Sequence, residues 1–312
     1  MLWVIRLLMN RMVYHNPVLL KECIKGLKIN PEGTYVDVTF GGGGHSKSIL
    51  NKLNGGKLFA FDQDSSANIN ELHQSNFKLI NANFRYLKNF LKLQGIMKID
   101  GLLADLGVSS NQFDVPQRGF SIRFDGELDM RMDVKSNLSA KDIINDYSEE
   151  ELANILYRYG DFRSSRRIAN KIVIARKISR INTTNELIDI ISDLAPKKYR
   201  NQFLARVFQS IRIEVNDEIS SLKEMLSSAV NLLNVKGRLV VLSYHSLEDR
   251  IVKNLIKKGN FEGHIEQDFF GNPIKNLKEI NTKVIMASDA EIKRNPRARS
   301  AKLRIAEKIN DD

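Results

Sequence analysis

The chain of 312 residues carries 48 Lys and Arg against 37 Asp and Glu, a formal charge of +11, with 42% hydrophobic and 27% charged residues. This composition supports a sizeable buried core and excludes global disorder, collagen and low-complexity classes; the basicity favours a polyanionic partner such as nucleic acid, although surface lysines that only maintain solubility give the same balance. Cys23, the single cysteine, rules out an intrachain disulfide and any cysteine-rich zinc or iron–sulfur site, which fits a reducing, cytoplasmic location.

The apolar opening from Met1 to Met9 is short, is broken by Arg6 and lacks a small-residue cleavage site. It predicts neither a membrane span nor a signal peptide, and Met12 offers an alternative start. Thr34 to Phe40 (TYVDVTF) is rich in β-branched and aromatic residues and runs into Gly41-Gly42-Gly43-Gly44, after which His45 to Leu53 is helix-compatible. Lys57 to Asp62, Phe77 to Asn83 and Ile99 to Gly107 repeat the strand pattern at βα spacing. A mostly parallel sheet with crossover helices is expected. Gly237 to His245 resumes the pattern, and Lys283 to Ala287 with Ser300 to Lys308 are candidate last strands that can pair as a hairpin.

Between these α/β parts lies a stretch of different, helical character. Ser139 with Asp142, Ser148 with Glu151 and Thr183 with Glu186 have capping-box spacing and place three helix starts. Leu152, Ile155, Leu156 and Tyr159 share one apolar helical face. The expected division is therefore 12–109 and 213–312 for an α/β domain, interrupted by a helical domain at 110–212. Asn111 to Asn137 is the longest stretch without clear periodicity, and long irregular loops near a sheet's carboxyl edge are often functional.

A glycine turn between strand and helix lets backbone approach a ligand and aims N–H groups at a phosphate or carboxylate. Asp62 stands 21 residues beyond Gly41, at the end of the next strand, where a carboxylate can accept ribose hydroxyls. A nucleoside-containing cofactor is implied. The dinucleotide fingerprint fails because its third glycine position is Ser46, which demotes NAD without excluding it. S-adenosylmethionine offers a carboxylate for the turn and a ribose for Asp62.

The segments DVTFGGGGHS (Asp37 to Ser46), LLADLGVSSNQFD (Leu102 to Asp114), RGFSIRFDGELDMRMD (Arg118 to Asp133), RVFQSIRIEVNDE (Arg206 to Glu218), SYHSLEDRIVK (Ser243 to Lys253) and NPRARSAKLRIAE (Asn295 to Glu307) resemble the RsmH (MraW) family of bacterial rRNA methyltransferases. The likeness begins at His15-Asn16-Pro17-Val18-Leu19-Leu20 and keeps the family's order almost to the last residue. It implies a Rossmann-like class I methyltransferase fold with an inserted helical domain. The implied activity is S-adenosylmethionine-dependent N4-methylation of one cytidine in the decoding region of 16S rRNA. The implied cofactor contacts are Gly43, Gly44, His45, Asp62, Phe84, Asp105 and Gln112. Departures from the common pattern are small: Gly42 where a larger residue is frequent, Asn111 for a frequent proline, and Tyr244 where Phe is common.

The cytosine amine is a poor nucleophile, its lone pair being conjugated into the ring, so positioning should dominate catalysis. A group that accepts its N–H typically contributes about 10² to 10⁴ in rate. Asp105 is the candidate acceptor, against the reading that it only orients the cofactor. The (D/N/S)-P-P-(Y/F) motif of many amino-methyltransferases is absent: the chain has Asp105-Leu106-Gly107-Val108. His45 is assigned to binding. Tyr244, His245, Ser246, Glu248 and Asp249 either line a target-base pocket or form a strand-to-helix turn capped by Ser246. No G-x-S-x-G elbow and no H-E-x-x-H spacing occurs, which argues against a hydrolase triad and against a metal site.

Arg158, Arg163, Arg166, Arg167, Lys171, Arg176, Lys177 and Arg180 cluster against Asp161 alone, with Ile168, Ile172 and Ala175 as the buried side. Lys293, Arg294, Arg297, Arg299, Lys302, Arg304 and Lys308 form a second cluster. Each is either a solvated face or an RNA contact, and the family resemblance favours RNA; Arg163, Arg166, Arg167, Arg297 and Arg299 are the candidate contacts. A target cytidine must be splayed out, with Phe120, Phe124 or Tyr244 as candidate stacking partners or core residues. Alternatives are a methyltransferase for another RNA or DNA base, a cofactor-holding RNA assembly factor without turnover, and an NAD-dependent oxidoreductase.

Overall fold

The computed structural model describes residues 17–310; the expectations for Met1 to Met9, the start at Met12 and the His15-Asn16 pair lie outside them. The described chain forms two compact units. The first takes residues up to Asp62, Ser66–Gly107 and Leu226 onward; the second takes Gln63–Ser65 and Val108–Met225.

In the first unit, β1 (Thr34–Asp37), β2 (Lys57–Asp62), β3 (Phe77–Asn81), β4 (Ile99–Asp105), β5 (Leu233–Ser243), β6 (Leu277–Glu279), β7 (Ile285–Met286) and β8 (Lys302–Lys308) make one sheet. Its order is β3-β2-β1-β4-β5-β8-β6, with β7 also on β8. Pairings among β1 to β5 are parallel, and β8 runs antiparallel to β5, β6 and β7. The sheet is mostly parallel with an antiparallel edge, as the family resemblance implies. Leu102, Leu103 and Ala104 in β4 and Leu239 to Leu242 in β5 are all buried, the unbroken apolar run expected of strands covered on both faces. The last two strands do pair as a hairpin, whereas the three-residue β6 carried no recognisable signal.

Because β1 to β5 run parallel, Asp37, Asp62, Asn81, Asp105 and Ser243 end on one edge. The chain leaves β1 toward β2 and β3 on one side and returns to β4 on the other, so the edge between β1 and β4 is a topological switch point. The helix α1 (Leu20–Leu27) covers the sheet through Cys23, Gly26 and Leu27. Gly26 sits so close to Ile305 that a Cβ there would lie 2.7 Å from its Cδ1.

The second unit holds α4 (Ser110–Asp114), α5 (Ala140–Asp146), α6 (Glu149–Gly160), α7 (Ser165–Ile178), α8 (Thr184–Ile191) and α9 (Arg200–Val215), while α2 (Gly44–Leu50) and α3 (Leu87–Leu93) belong to the first. The helix α10 (Glu218–Leu232) contains the division at Met225, so the second unit runs beyond Arg212. All three capping boxes form, at Ser139, Ser148 and Thr183. Leu152, Ile155, Leu156, Ile168 and Ile172 join one core with Phe203, Leu204 and Val207. The aperiodic stretch after Asn111 is firmly built: Leu128 N–H donates to Asn182 O at 2.9 Å, Ala140 N–H to Asp129 O at 2.8 Å, and Met130 is fully buried.

Candidate active site

The glycine turn follows β1 on the switch-point edge. Gly41 and Gly43 take left-handed φ of 51° and 73°, which other residues adopt at a cost. Gly43 N–H closes the turn on Phe40 O at 2.7 Å, and Gly41 N–H donates to Asp62 Oδ2 at 2.8 Å. A Cβ on Gly41 or Gly42 would meet nothing within 4 Å, whereas one on Gly44 would lie 2.3 Å from Pro17 and one on Gly43 would lie 3.0 Å from the Phe40 ring. The backbone of Gly41 and Gly42 is thus the open part of the turn, and Gly43 and Gly44 are glycine because protein packs against them. An open backbone turn joined to a strand-end carboxylate fits a nucleoside carrying an amino-acid or phosphate group.

Beneath the turn, Asp37 is fully buried. Its Oδ2 accepts Ser46 Oγ–H at 2.7 Å, and its Oδ1 accepts Thr39 N–H at 3.1 Å. Thr39 Oγ1 in turn accepts Asp105 N–H at 2.7 Å. These bonds lock the ends of β1 and β4 together. Thr39 and Ser46 were not singled out from sequence; the polar residues flanking the glycines were their only signal.

Asp105 closes β4 between two partners. Tyr244 O–H donates to its Oδ1 at 2.6 Å, and His45 Nδ1 stands 3.7 Å from its Oδ2. His45 Nε2 lies 3.2 Å from Val18 O, and since a carbonyl only accepts, Nε2 carries hydrogen. Burial pushes the Asp105 carboxyl above the ordinary carboxylate range; His45 and the Tyr244 hydrogen bond oppose the rise, while Asp37 and Glu248 add to it. The Tyr244 phenol is pushed well above its usual range by burial and then by Asp105, so it remains a donor.

Helix α11 (Ser246–Lys258) follows Tyr244 directly. Its N-cap is His245 rather than the expected Ser246: His245 Nδ1 accepts Glu248 N–H at 3.4 Å. Glu248 Oε2 returns the bond to Tyr244 N–H at 2.9 Å and His245 N–H at 3.3 Å. Asp249 is committed to structure as well, accepting from Arg304 Nε at 2.7 Å. Burial raises its carboxyl, but Arg304 and Lys302 outweigh that and hold it low.

Phe84 lies half-buried in the short turn after β3, capped by Asn83, on the same edge. Gln112 belongs to the second unit, where its Oε1 accepts Ser109 N–H at 3.0 Å and its Nε2 donates to Asp64 at 3.0 Å. Arg118 donates to the same Asp64 oxygen at 2.8 Å and to Arg131 O and Met132 O at 2.8 and 3.2 Å. Asp64 and Arg118 were not singled out, since no local pattern signals a pairing across 54 residues.

Arg158, Arg163, Arg166, Arg167 and Lys177 are exposed on and beside α7. The rest of that cluster is held by protein: Arg176 donates to Ile144 O at 2.6 Å, Lys171 pairs with Asp193, and Arg180 with Asp146. The C-terminal cluster is thinner than its sequence suggests. Arg299 is exposed and Arg297 half-buried, but Lys302 and Arg304 pair with Asp249 and Lys308 is buried. Phe120 is 5% exposed and belongs to the second unit's core, so it is no stacking platform, whereas Phe124 is 46% exposed.

Residues 12–309 match the MraW methylase family. A protein of Bacteroides thetaiotaomicron called "Ribosomal RNA small subunit methyltransferase H" is 54% identical over 300 residues, covering 96% of this chain and 99% of its own. A protein of the same name from Flavobacterium johnsoniae is 55% identical over 299 residues, covering 96% and 99%. A solved structure called a putative rRNA-methylase, from Clostridium thermocellum, aligns with 95% of this chain and 98% of its own at 12% identity and a TM-score of 0.45, too distant to add to the assignment.

Proposed function

The chain belongs to the MraW methylase family, and from that premise we propose that it methylates N4 of one cytidine in the decoding region of 16S rRNA, within the small ribosomal subunit and in the cytoplasm. It is an S-adenosylmethionine-dependent methyltransferase of small-subunit rRNA. The observation that carries this is the identity of about 54% with small-subunit rRNA methyltransferases across nearly the full length of both chains.

S-adenosylmethionine supplies an electrophilic methyl group on a sulfonium. In this reading Gly43, Gly44 and His45, with the open backbone of Gly41 and Gly42, receive its amino-acid end. Asp62 receives the ribose hydroxyls and Phe84 packs on the base, while Gln112 is a cofactor contact only as the family resemblance implies it. Asp105 faces the reacting centre. The turn and Asp62 are tied together by the Gly41 bond, so the two ends of the cofactor site are set relative to each other before a ligand arrives. The helical domain recognises the substrate through Arg163, Arg166 and Arg167, and Arg297 and Arg299 add phosphate contacts from the α/β domain.

The test is to incubate the protein with isotope-labelled S-adenosylmethionine and unmethylated small subunits or their naked rRNA, then to digest to nucleosides. Labelled N4-methylcytidine at one position is expected. Label in another nucleoside would overturn the cytidine assignment, and no label despite cofactor binding would favour an assembly factor without turnover.

A further inference from the structure

We propose that Tyr244 is a positioning residue whose hydroxyl fixes the Asp105 carboxylate in place to take the proton that the substrate amine loses. The inference rests on the methyltransferase reading above and deepens it.

Asp105 is restrained at its backbone and at one carboxylate oxygen. Its backbone N–H is bonded to Thr39, its Oδ1 to the Tyr244 hydroxyl, and its Oδ2 faces His45 Nδ1. The Asp105 side chain keeps 22% of its surface exposed against 6% for His45, so the carboxylate is the member of the pair that a substrate can touch. His45 spends Nε2–H on Val18 O and serves as a fixed neighbour. Tyr244 itself is held at its backbone and against its ring. The buried Glu248 takes the Tyr244 N–H, and Gly107, at φ 102°, lies against the ring with room for a Cβ only at 3.4 Å from Cδ2. A side chain that merely filled space would not need its hydroxyl, and here the hydroxyl makes a short bond to the half-buried carboxylate. Hydrogen bonding to the ionised form favours that form, which counteracts burial.

In methyl transfer the amine nitrogen gains a bond to the methyl carbon, the carbon–sulfur bond breaks with its electron pair left on sulfur, and the nitrogen sheds one proton. Asp105 takes that proton and becomes neutral, the form its buried setting favours, and releases it to solvent after the product leaves. The charged or titratable groups facing Asp105 are His45 from α2, Asp37 from β1, Glu248 from α11, Cys23 from α1 and Tyr244 itself. Tyr244 is the one among them that bonds the carboxylate oxygen directly.

Two measurements on Tyr244→Phe test this, the ring being kept and the oxygen alone removed. The first follows the carboxyl carbons of the ligand-free protein by ¹³C NMR against pH, with Asp105→Asn identifying the Asp105 signal. The variant's Asp105 should titrate at higher pH than the wild type's; an unmoved midpoint overturns the Tyr244 assignment. The second is the pH profile of single-turnover methyl transfer. The acid limb should move the same way, the rate below it falling about tenfold, while affinity for S-adenosylhomocysteine holds within about twofold. Equal losses of rate and affinity would show that Tyr244 acts through cofactor binding, and would overturn the proton role. A wild type that transfers no methyl at any pH would overturn the functional reading, a result distinct from an unmoved titration.

Discussion

Gly41 and Asp62 are joined by a 2.8 Å hydrogen bond from amide to carboxylate, which couples the glycine turn after β1 to the end of β2. The same carboxylate that orders the turn is thus the group proposed to bind ribose. Asp62→Ala removes both services at once. Affinity for S-adenosylhomocysteine should fall about 10- to 100-fold, while binding to small-subunit RNA changes little. Calorimetric titration beside an RNA-binding assay checks this, and unchanged cofactor affinity in a folded variant would refute the ribose role.

The four turn glycines are not equivalent: a Cβ on Gly44 would lie 2.3 Å from Pro17 and one on Gly43 3.0 Å from the Phe40 ring, while Gly42 faces open space. Gly44→Ala should therefore cost about 1 to 3 kcal/mol of stability through overpacking, and Gly42→Ala about 0.5 kcal/mol or less. Equal melting temperatures for the two variants would contradict the packing argument.

Arg118 binds Asp64 and two backbone carbonyls in the second unit, with side-chain exposures of 14% for the arginine and 6% for the aspartate. Removing the guanidinium takes the ion pair from a buried carboxylate that keeps its Gln112 bond, so Arg118→Met should destabilise the protein by about 3 kcal/mol. Asp64→Asn in the same chain should restore part of the loss. Urea denaturation of both single variants and the double variant measures the coupling; strict additivity would argue against it.

Replacing Arg163, Arg166 and Arg167 with Gln should weaken rRNA binding and reduce its salt slope by roughly two to three units. All three are exposed, so the fold should be retained. An unaltered slope would place the RNA elsewhere.

The raised Asp105 carboxyl carries a stability consequence of definite sign. A carboxyl whose folded value lies above its unfolded one contributes nothing unfavourable below the ordinary range near pH 4, and destabilises the native state as pH rises through the folded value. Asp105→Asn, which still accepts from Tyr244, should therefore gain stability relative to wild type between pH 4 and pH 7. Denaturant titrations at the two pH values test it, and a stability difference independent of pH would count against the burial argument.

The glycine turn, the strand-end Asp62 and Asp105, and the three capping boxes were readable because each is a local pattern, in which spacing alone fixes the geometry. Errors arose where partners are distant in sequence. The C-terminal basic run reads as a free patch until Asp249 is seen to hold Lys302 and Arg304. Phe120 reads equally as a stacking candidate or a core residue, and only the structure selects core. His245 displaces Ser246 as cap because the imidazole Nδ1 can accept the Glu248 N–H, an option that cap statistics on hydroxyl residues overlook.

The sequence by itself determined the alternation of strands and helices, the family and the edge of the sheet that carries the chemistry, since hydrophobic periodicity and motif spacing are properties of neighbouring residues. Tertiary structure alone decided which groups meet there. Asp105 and Tyr244 are 139 residues apart, and only the parallel pairing of β4 with β5 brings the end of one strand within 2.6 Å of the residue after the other. Long-range pairing of this kind depends on sheet order and register, which no local pattern encodes.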